Sequence, residues 1–155
     1  MEVVRVLLDT GKVDVDLKDK HGRTALLRAA IPGHTAVVQI LMNTGKADVN
    51  SKDGDDRSSL SYAAEKGHET IVQVLLNTGQ ADVDSKNSDG RSALSYAAEK
   101  GHNTIVQMLL GTGEADVNSR DGDGRSALSY AAEKGHGATV QMLLDKARVN
   151  ANSRD

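Results

Sequence analysis

Hydrophobic and polar positions along the chain recur in blocks of 34 residues. In the block at 87–120, a polar turn precedes a short segment in which Leu94, Ala97 and Ala98 form one apolar side. A second segment, at about 103–110, carries apolar residues on more than one side, which is typical of a helix buried between neighbours. The pattern therefore predicts two short helices in each block, joined by turns and followed by a long polar loop.

Turn and capping residues mark the ends of both predicted helices. Ser92 stands at a helix N-cap position, where its hydroxyl accepts a hydrogen bond from a free amide of the first turn. Gly101 ends the first helix, and a Gly-Thr-Gly break beginning at Gly111 ends the second. Val117 is the single apolar anchor that we expect in the loop leading to the next block.

Copies of the block follow one another along the whole chain. The clearest markers recur every 34 residues and are Arg23, Arg57, Arg91 and Arg125, with His34, His68, His102 and His136. A fixed period of this size is the signature of stacked repeats, each of which buries its apolar face against its neighbours. We expect a partial repeat at 1–18, full repeats at 19–52, 53–86 and 87–120, and a last repeat with a degraded tail at 121–155.

The short sequence motifs that recur in each block resemble those of the ankyrin repeat. The motif near the start of the ankyrin repeat is matched at Thr24-Ala25-Leu26, Ser58-Ser59-Leu60, Ser92-Ala93-Leu94 and Ser126-Ala127-Leu128, each followed by an Ala-Ala pair. The resemblance covers essentially the whole chain and implies an all-α solenoid of helix-turn-helix units with short β-turn fingers. The loop sequences are also similar to those of repeat arrays in fungal multidomain proteins that carry an NTPase or nucleoside-hydrolysing domain.

The match to the ankyrin pattern has two departures. The family's proline is replaced by Ala25, Ser59, Ala93 and Ala127, and its histidine by Leu27, Ser61, Ser95 and Ser129. In the family that histidine ties adjacent turns together by hydrogen bonds, so we expect serine to replace the tie only in part. Tetratricopeptide repeats share the period, but they need longer helices and bulky aromatic residues. The chain has no Phe and no Trp, which excludes that alternative.

Composition limits the class of protein. With three tyrosines as its only aromatic residues, the chain must build a thin core from Leu, Val, Ile, Ala and Met. A net charge of −3 argues against nucleic-acid binding, and the absence of cysteine excludes disulfides. No apolar run approaches the roughly 20 residues of a membrane span, so we expect no membrane contact. The N-terminus has no signal-peptide pattern and resembles the middle of a repeat, which predicts a fragment of a longer, cytoplasmic or otherwise intracellular protein.

Two groups of residues raise the question of a metal site. The repeated histidines are 34 positions apart, which is wrong for a local site, and no second ligand recurs with them. We therefore assign them a structural role at the start of the second helix. The segment 121–124 resembles the start of a calcium loop, but the fifth and twelfth places of that motif hold Arg125 and Ala132. The sequence predicts no metal and no cofactor.

No catalytic motif occurs in the chain. The serines and histidines that would serve catalysis recur in every copy, whereas a catalytic group is needed only once, and repetition serves stacking. We therefore predict that the chain is not an enzyme. The resemblance implies a protein–protein interaction module that binds a partner through its concave face, formed by the turn tips and first helices. A structural spacer, or a masking segment of a larger multidomain protein, is the alternative.

By resemblance to ankyrin binders, the contact positions form ladders of charged residues beside tyrosines. They are Asp55, Arg57, Tyr62, Glu65 and Lys66; Asp89, Arg91, Tyr96, Glu99 and Lys100; and Asp123, Arg125, Tyr130, Glu133 and Lys134. Arg and Tyr are enriched in the hot spots of interfaces, which favours binding. Opposite charges along a stack also pair with one another for little energy. A self-paired, solvated face therefore remains an equal alternative.

The first full repeat departs from these ladders. It has Ile31 and Pro32 where the other copies have Glu and Lys, and Leu27 and Arg28 where they have Ser and Tyr. The departures predict an exposed apolar cluster of Leu27, Ile31 and Pro32, of the kind that marks interaction sites. Preceding sequence that covers the cluster is an equal alternative. In either case we expect weak self-association through the uncapped N-terminal end.

Overall fold

The computed structural model describes residues 14–152, with side chains up to residue 148. This part of the chain forms helices in pairs and no β-strand, so the predicted all-α fold is confirmed. The pairs are α1 (Ala25–Ala30) with α2 (Thr35–Asn43), α3 (Ser59–Lys66) with α4 (Glu69–Leu76), α5 (Ala93–Lys100) with α6 (Asn103–Gly111), and α7 (Ala127–Glu133) with α8 (Gly137–Asn152). Antiparallel bridges join Lys52 to Ser58 and Arg120 to Ser126 at the bases of two turns.

Each first helix begins at the hydroxyl residue that the sequence predicts as its cap. The side chains of Thr24, Ser58, Ser92 and Ser126 accept a hydrogen bond from the amide three residues further on. Gly67 ends α3 with a φ of 76°, and Gly101 ends α5 with a φ of 70°. Glycine takes this left-handed conformation without the clash that a Cβ atom would cause. The predicted helix ends are therefore confirmed.

The last helix differs from the expectation of a degraded tail. Instead of stopping near the end of the block's second helix, α8 runs on to Asn152. The Thr-Gly break of the earlier copies is absent here, and Lys146, Ala147 and Arg148 are good helix formers. Thr139 is fully buried, and its hydroxyl donates to Asn103 Oδ1 at 2.6 Å.

The chain divides into two compact units, Met1–Asp82 and Val83–Asp155. In the first unit α1 packs on α2 and α3, and α4 packs on α2 and α3. In the second unit α5 packs on α6 and α7, and α8 packs on α6 and α7. The largest fully buried side chains are Leu26, Leu27, Val38, Leu60, Ile71, Val72 and Leu75 in the first unit, and Leu94, Ile105, Val106, Leu109 and Leu143 in the second.

The remaining predictions about the chain ends concern residues that are only partly described. The partial repeat at 1–18 lies largely outside the described residues. Among the described helices, none combines the length and the apolar character that crossing a membrane requires.

Candidate functional site

The first residue of each polar turn organises the turn through its side chain. Asp53 Oδ1 accepts hydrogen bonds from the amides of Asp55 and Arg57, both at 3.0 Å. The Asp53 amide in turn donates to the Arg57 carbonyl at 3.1 Å, which closes the loop. The same closure recurs at Asp19, Asn87 and Asp121. The tips are therefore held in one conformation by their own hydrogen bonds, so binding would order little additional backbone.

The tyrosines predicted as contact residues lie beneath the turns rather than on the surface. Tyr62, Tyr96 and Tyr130 are exposed by only 7%, 6% and 2%. The Tyr62 hydroxyl donates to Asp53 Oδ2 at 2.6 Å, and the Tyr130 hydroxyl donates to Asp121 Oδ2 at 2.5 Å. All three tyrosines are buried, because each phenol completes the hydrogen bonding of its own turn.

The arginines of the ladders cover these tyrosine rings. The Arg91 guanidinium carbon lies 4.0 Å from the ring centre of Tyr96 and 4.2 Å from that of Tyr130. Arg91 Nη2 also donates to Glu99 Oε2 at 2.6 Å. An equivalent set in the first unit consists of Arg57, Tyr62 and Glu65, with an ion pair of 2.7 Å. These ladder residues therefore pair with one another, as the alternative of a self-paired face predicts.

The last repeat lacks this ion pair. Arg125 is 45% exposed and binds Asp123 Oδ2 at 3.0 Å, while its guanidinium lies 4.7 Å from the centre of the Tyr130 ring. Glu133 pairs instead with Lys134 at 3.0 Å, and both of these side chains are exposed. The charged groups of the last repeat are therefore more open to solvent than their counterparts in the earlier ones.

The other predicted contact residues fall into two groups. Asp55, Lys66, Asp89, Lys100 and Asp123 are exposed, and so is Pro32, while Ile31 is half-buried. Leu27 is fully buried, which corrects its place in an exposed apolar cluster. The same position holds Ser61 and Ser95 in later repeats, and both are buried as well. The position is an interior one in those repeats, and Leu27 fills it with apolar volume.

Neighbouring turns within a unit are joined through their main chains. The Gly54 amide donates to the His21 carbonyl at 3.0 Å, and the Gly122 amide donates to the Asp89 carbonyl at 2.8 Å. The serine that replaces the family's histidine bonds within its own helix start, as Ser95 Oγ does when it donates to a carbonyl 2.8 Å away. Main-chain hydrogen bonds between adjacent turn tips therefore replace the hydrogen bonds that the family's histidine side chain makes.

The structure gives the repeated histidines a specific role that the sequence did not reveal. His136 Nε2 lies 3.0 Å from the Glu99 carbonyl oxygen, to which it must donate, and the ring lies against Gly101 of the preceding repeat. His68 is placed in the same way against Gly33. The recurring Gly-His motif was the available sequence signal for this contact, since the glycine of one copy makes room for the histidine of the next.

A cleft of about 440 Å³ opens between the two turns of the second unit. It is lined by Ser88, Asp89, Arg91, Asp121, Gly122, Asp123, Arg125 and Tyr130. Asp89 and Asp123 are exposed at its rim, and the Arg91 side chain, held by Glu99, forms part of its wall. The cleft offers carboxylates and a guanidinium on a constrained backbone, and it suits polar recognition.

Burial and hydrogen bonding shift the pKa values of the buried pair beneath this cleft. Burial, followed by the hydrogen bond to Asp121, raises the pKa of Tyr130 to about 12. Burial alone would raise the pKa of Asp121, but hydrogen bonds from Tyr130 and from the Arg125 and Asp123 amides outweigh it and lower that pKa. Each group thus holds the other in the protonation state that it has at neutral pH.

We expect the Tyr130 phenol to ionise only near pH 12, as measured by NMR of its ring carbons during a pH titration. Because the folded pKa lies above the ordinary value of 10.0, the stability from this group is complete below pH 10.0 and disappears as the pH rises through about 12. Asp121→Asn should lower the Tyr130 pKa, whereas Asp123→Asn should leave it unchanged. A Tyr130 midpoint near the ordinary value would contradict the buried pair.

Comparisons with known proteins agree with this geometry. A family model described as ankyrin repeats (3 copies) matches residues 1–87 and 60–155, which together span the chain. No curated protein matches the chain. Ankyrin repeats generally mediate protein–protein interaction, and the family is generally non-enzymatic. On this match, and on the repeated helix pairs with capped turns, the chain belongs to the ankyrin repeat family.

Proposed function

We propose that the chain is a non-catalytic module that binds another protein through its turn tips and the exposed ends of its first helices. The observation that carries this proposal is the set of charged side chains displayed on turns whose backbones are already fixed. Asp55, Asp89 and Asp123 each follow a turn's organising Asp or Asn by two residues, and all three are exposed. A partner therefore meets side chains whose supporting main chain needs no further ordering.

The ladder arginines serve this surface by positioning it. Arg91 is only 16% exposed, and its guanidinium is held by Glu99 and by two tyrosine rings. Replacing such an arginine would disturb the stack, so it is a poor probe of binding. The exposed carboxylates at the cleft are better probes, and they favour a partner segment that is extended, polar and provided with cationic side chains.

The proposal is tested by quantitative affinity capture with a charge-reversed variant and a matched control. Asp89→Lys/Asp123→Lys alters the rim of the cleft, and Glu69→Lys/Glu114→Lys makes the same change of charge at exposed positions outside it. We expect a partner that the native chain and the control retain but the rim variant loses. If every captured protein binds the rim variant as well as the control, the turn-tip surface is not the binding site.

A structural spacer or masking segment is the second candidate function. It is favoured by the ion pairs of Arg57 with Glu65 and Arg91 with Glu99, which satisfy part of the charge within the chain itself. A spacer needs no exposed carboxylate for its role. Capture of no specific partner by the native chain, the rim variant or the control would support it.

A further inference from the structure

The first full repeat lacks the carboxylate that holds the ladder arginine in the two repeats after it. In the second unit Nη2 of Arg91 donates to Glu99 Oε2 at 2.6 Å, and the repeat at 53–86 forms the same pair at 2.7 Å. The corresponding arginine of the first full repeat is Arg23, and the residue eight positions after it is Ile31. Because an isoleucine side chain accepts no hydrogen bond, this position gives Arg23 no partner.

The main chain at Ile31 nevertheless keeps the same contact as the main chain at Glu99. The Ile31 carbonyl oxygen lies 3.3 Å from Nε2 of His68 in the following repeat. The Glu99 carbonyl oxygen lies 3.0 Å from Nε2 of His136 in the same way. The two residues therefore hold equivalent places, and the substitution changes only the side chain that meets the arginine.

Arg23 is held by one long ion pair with the next turn. Its Nε lies 3.8 Å from Asp53 Oδ2, which is longer than a hydrogen bond. That oxygen already accepts from the Tyr62 hydroxyl at 2.6 Å, and Oδ1 of Asp53 accepts from two amides of its own turn. Among the residues that the structure describes, none accepts a hydrogen bond from the Arg23 guanidinium. Its hydrogen-bonding capacity is therefore available to a ligand.

The surroundings of this guanidinium lie inside the described part of the chain. Arg91 is held by groups of its own repeat and of the one that follows, such as Glu99 and Tyr130. The corresponding positions around Arg23 lie within 28–62, all of which the structure describes. The side chain of Arg23 is 29% exposed, compared with 16% for Arg91. Arg23 is thus more open to solvent than its counterpart, although most of its side chain is still covered.

We propose that Arg23 binds a carboxylate of the partner protein, from an aspartate or glutamate side chain, where Glu99 meets Arg91 in the second unit. The internal pair supplies the ligand's chemistry, since a guanidinium forms planar, charge-assisted hydrogen bonds with this anion. The inference rests on the proposed function, because it names an acidic group on the same partner. It concerns a different unit from the cleft at Asp89 and Asp123, and it can be measured without the partner.

The test is an NMR titration of the full, isotope-labelled chain that follows the Nε–Hε signal of Arg23 and the amides of residues 19–34. Sodium acetate is the probe, and sodium chloride at the same ionic strength corrects for screening. A charge-assisted hydrogen bond at this site predicts a dissociation constant on the order of 10–100 mM. Arg23→Gln should abolish the amide shifts. Arg28→Gln is the matched control, because it removes the same charge from the same repeat at a side chain that is 63% exposed, and it should keep most of them.

Two further changes exchange the side chains of the equivalent positions. Ile31→Glu supplies the carboxylate from within the chain, and Ile31→Gln is its uncharged counterpart. We expect Ile31→Glu to weaken the acetate response of Arg23 about fivefold or more, because an intramolecular carboxylate competes at a high effective concentration. Ile31→Gln should keep most of the response. Glu99→Ile, or Glu99→Ala if that variant is not folded by circular dichroism, should give Arg91 an acetate response that it lacks in the native chain.

A second titration distinguishes a protein side chain from a free small carboxylate. Its probe is a capped peptide in which glutamate alternates with glycine, and the control peptide has glutamine in place of glutamate. We expect the glutamate peptide to bind at Arg23 more tightly than acetate and the glutamine peptide not to bind.

The proposal would be overturned by the absence of an acetate-specific shift, by an unchanged response in Ile31→Glu, or by no gain in the Glu99 variant. Equal losses in Arg23→Gln and Arg28→Gln would also overturn it, and so would a glutamate peptide that binds more weakly than acetate. If the rim variant of the cleft loses its partner while Arg23 shows no shift, this inference fails and the proposed function stands. A clear shift at Arg23 beside unchanged capture by the rim variant gives the opposite result.

Discussion

Leu109→Ala should lower the free energy of unfolding by about 2–5 kcal/mol, the usual effect of emptying a fully buried leucine site. Leu109 lies in α6, has 0% exposure, and belongs to a helix that packs on both α5 and α8. Truncation to alanine removes the favourable transfer free energy of the deleted atoms. It also leaves a cavity, which the short helices packed around it fill poorly. Urea denaturation followed by circular dichroism measures the change.

The matched control is Leu144→Ala, which removes the same atoms from the neighbouring helix α8. Leu144 is 42% exposed, so its side chain forms fewer contacts and its removal leaves little enclosed volume. We expect the control to lose less than half as much stability as Leu109→Ala at low protein concentration. Equal losses would mean that the second helices contribute no more to the core than the surface does.

Local sequence signals were sufficient for the helices because the determining interactions span only a few residues. Ser92 accepts from the amide of Ser95, and Gly101 adopts its left-handed conformation where α5 ends. Both features follow from residue type at a helix end and need no knowledge of distant contacts. The period then extends the assignment from one copy to the others, and so the fold class was predictable.

The site was less predictable because residue type does not reveal which side of a short helix is covered. A tyrosine is compatible with a surface or with an interior that offers its hydroxyl a partner. The partner of Tyr62 is Asp53, nine positions earlier in a turn, and only the fold brings the two together. The recurrence of Asp or Asn nine residues before each tyrosine was a usable signal. Leu27 misled for a related reason, since two of the serines at its position, Ser61 and Ser95, are buried although serine is compatible with a surface.

The greater length of α8 was unpredictable from the repeat pattern because a degraded copy provides no template. Once the Thr-Gly break is lost, intrinsic helix propensity decides the local structure, and the residues after Leu144 favour a helix. In the last repeat, α8 takes the place of the polar loop that leads from one repeat to the next in the earlier copies.

Gly101→Ala should destabilise the chain by about 2–3 kcal/mol, more than the same change at Gly135. Both glycines have left-handed backbones, with φ of 70° and 75°, so alanine at either site incurs the steric penalty of about 1–2 kcal/mol. Only at Gly101 would the new Cβ lie 2.6 Å from His136 Nδ1, too close for real contacts. The ring must then move, which weakens its hydrogen bond to Glu99, an interaction of about 1 kcal/mol.

A double-mutant cycle with His136→Ala isolates this contact from the backbone strain. Without the imidazole, Gly101→Ala should cost only the left-handed penalty and should match Gly135→Ala, which has no neighbour within 4 Å of its Cβ position. Thermal and urea unfolding of the native chain, the three single variants and the double variant supply the necessary free energies. If Gly101→Ala destabilises the chain as much without His136 as with it, the Gly-His contact does not join the repeats. The recurring Gly-His motif must then be explained by the helix end alone.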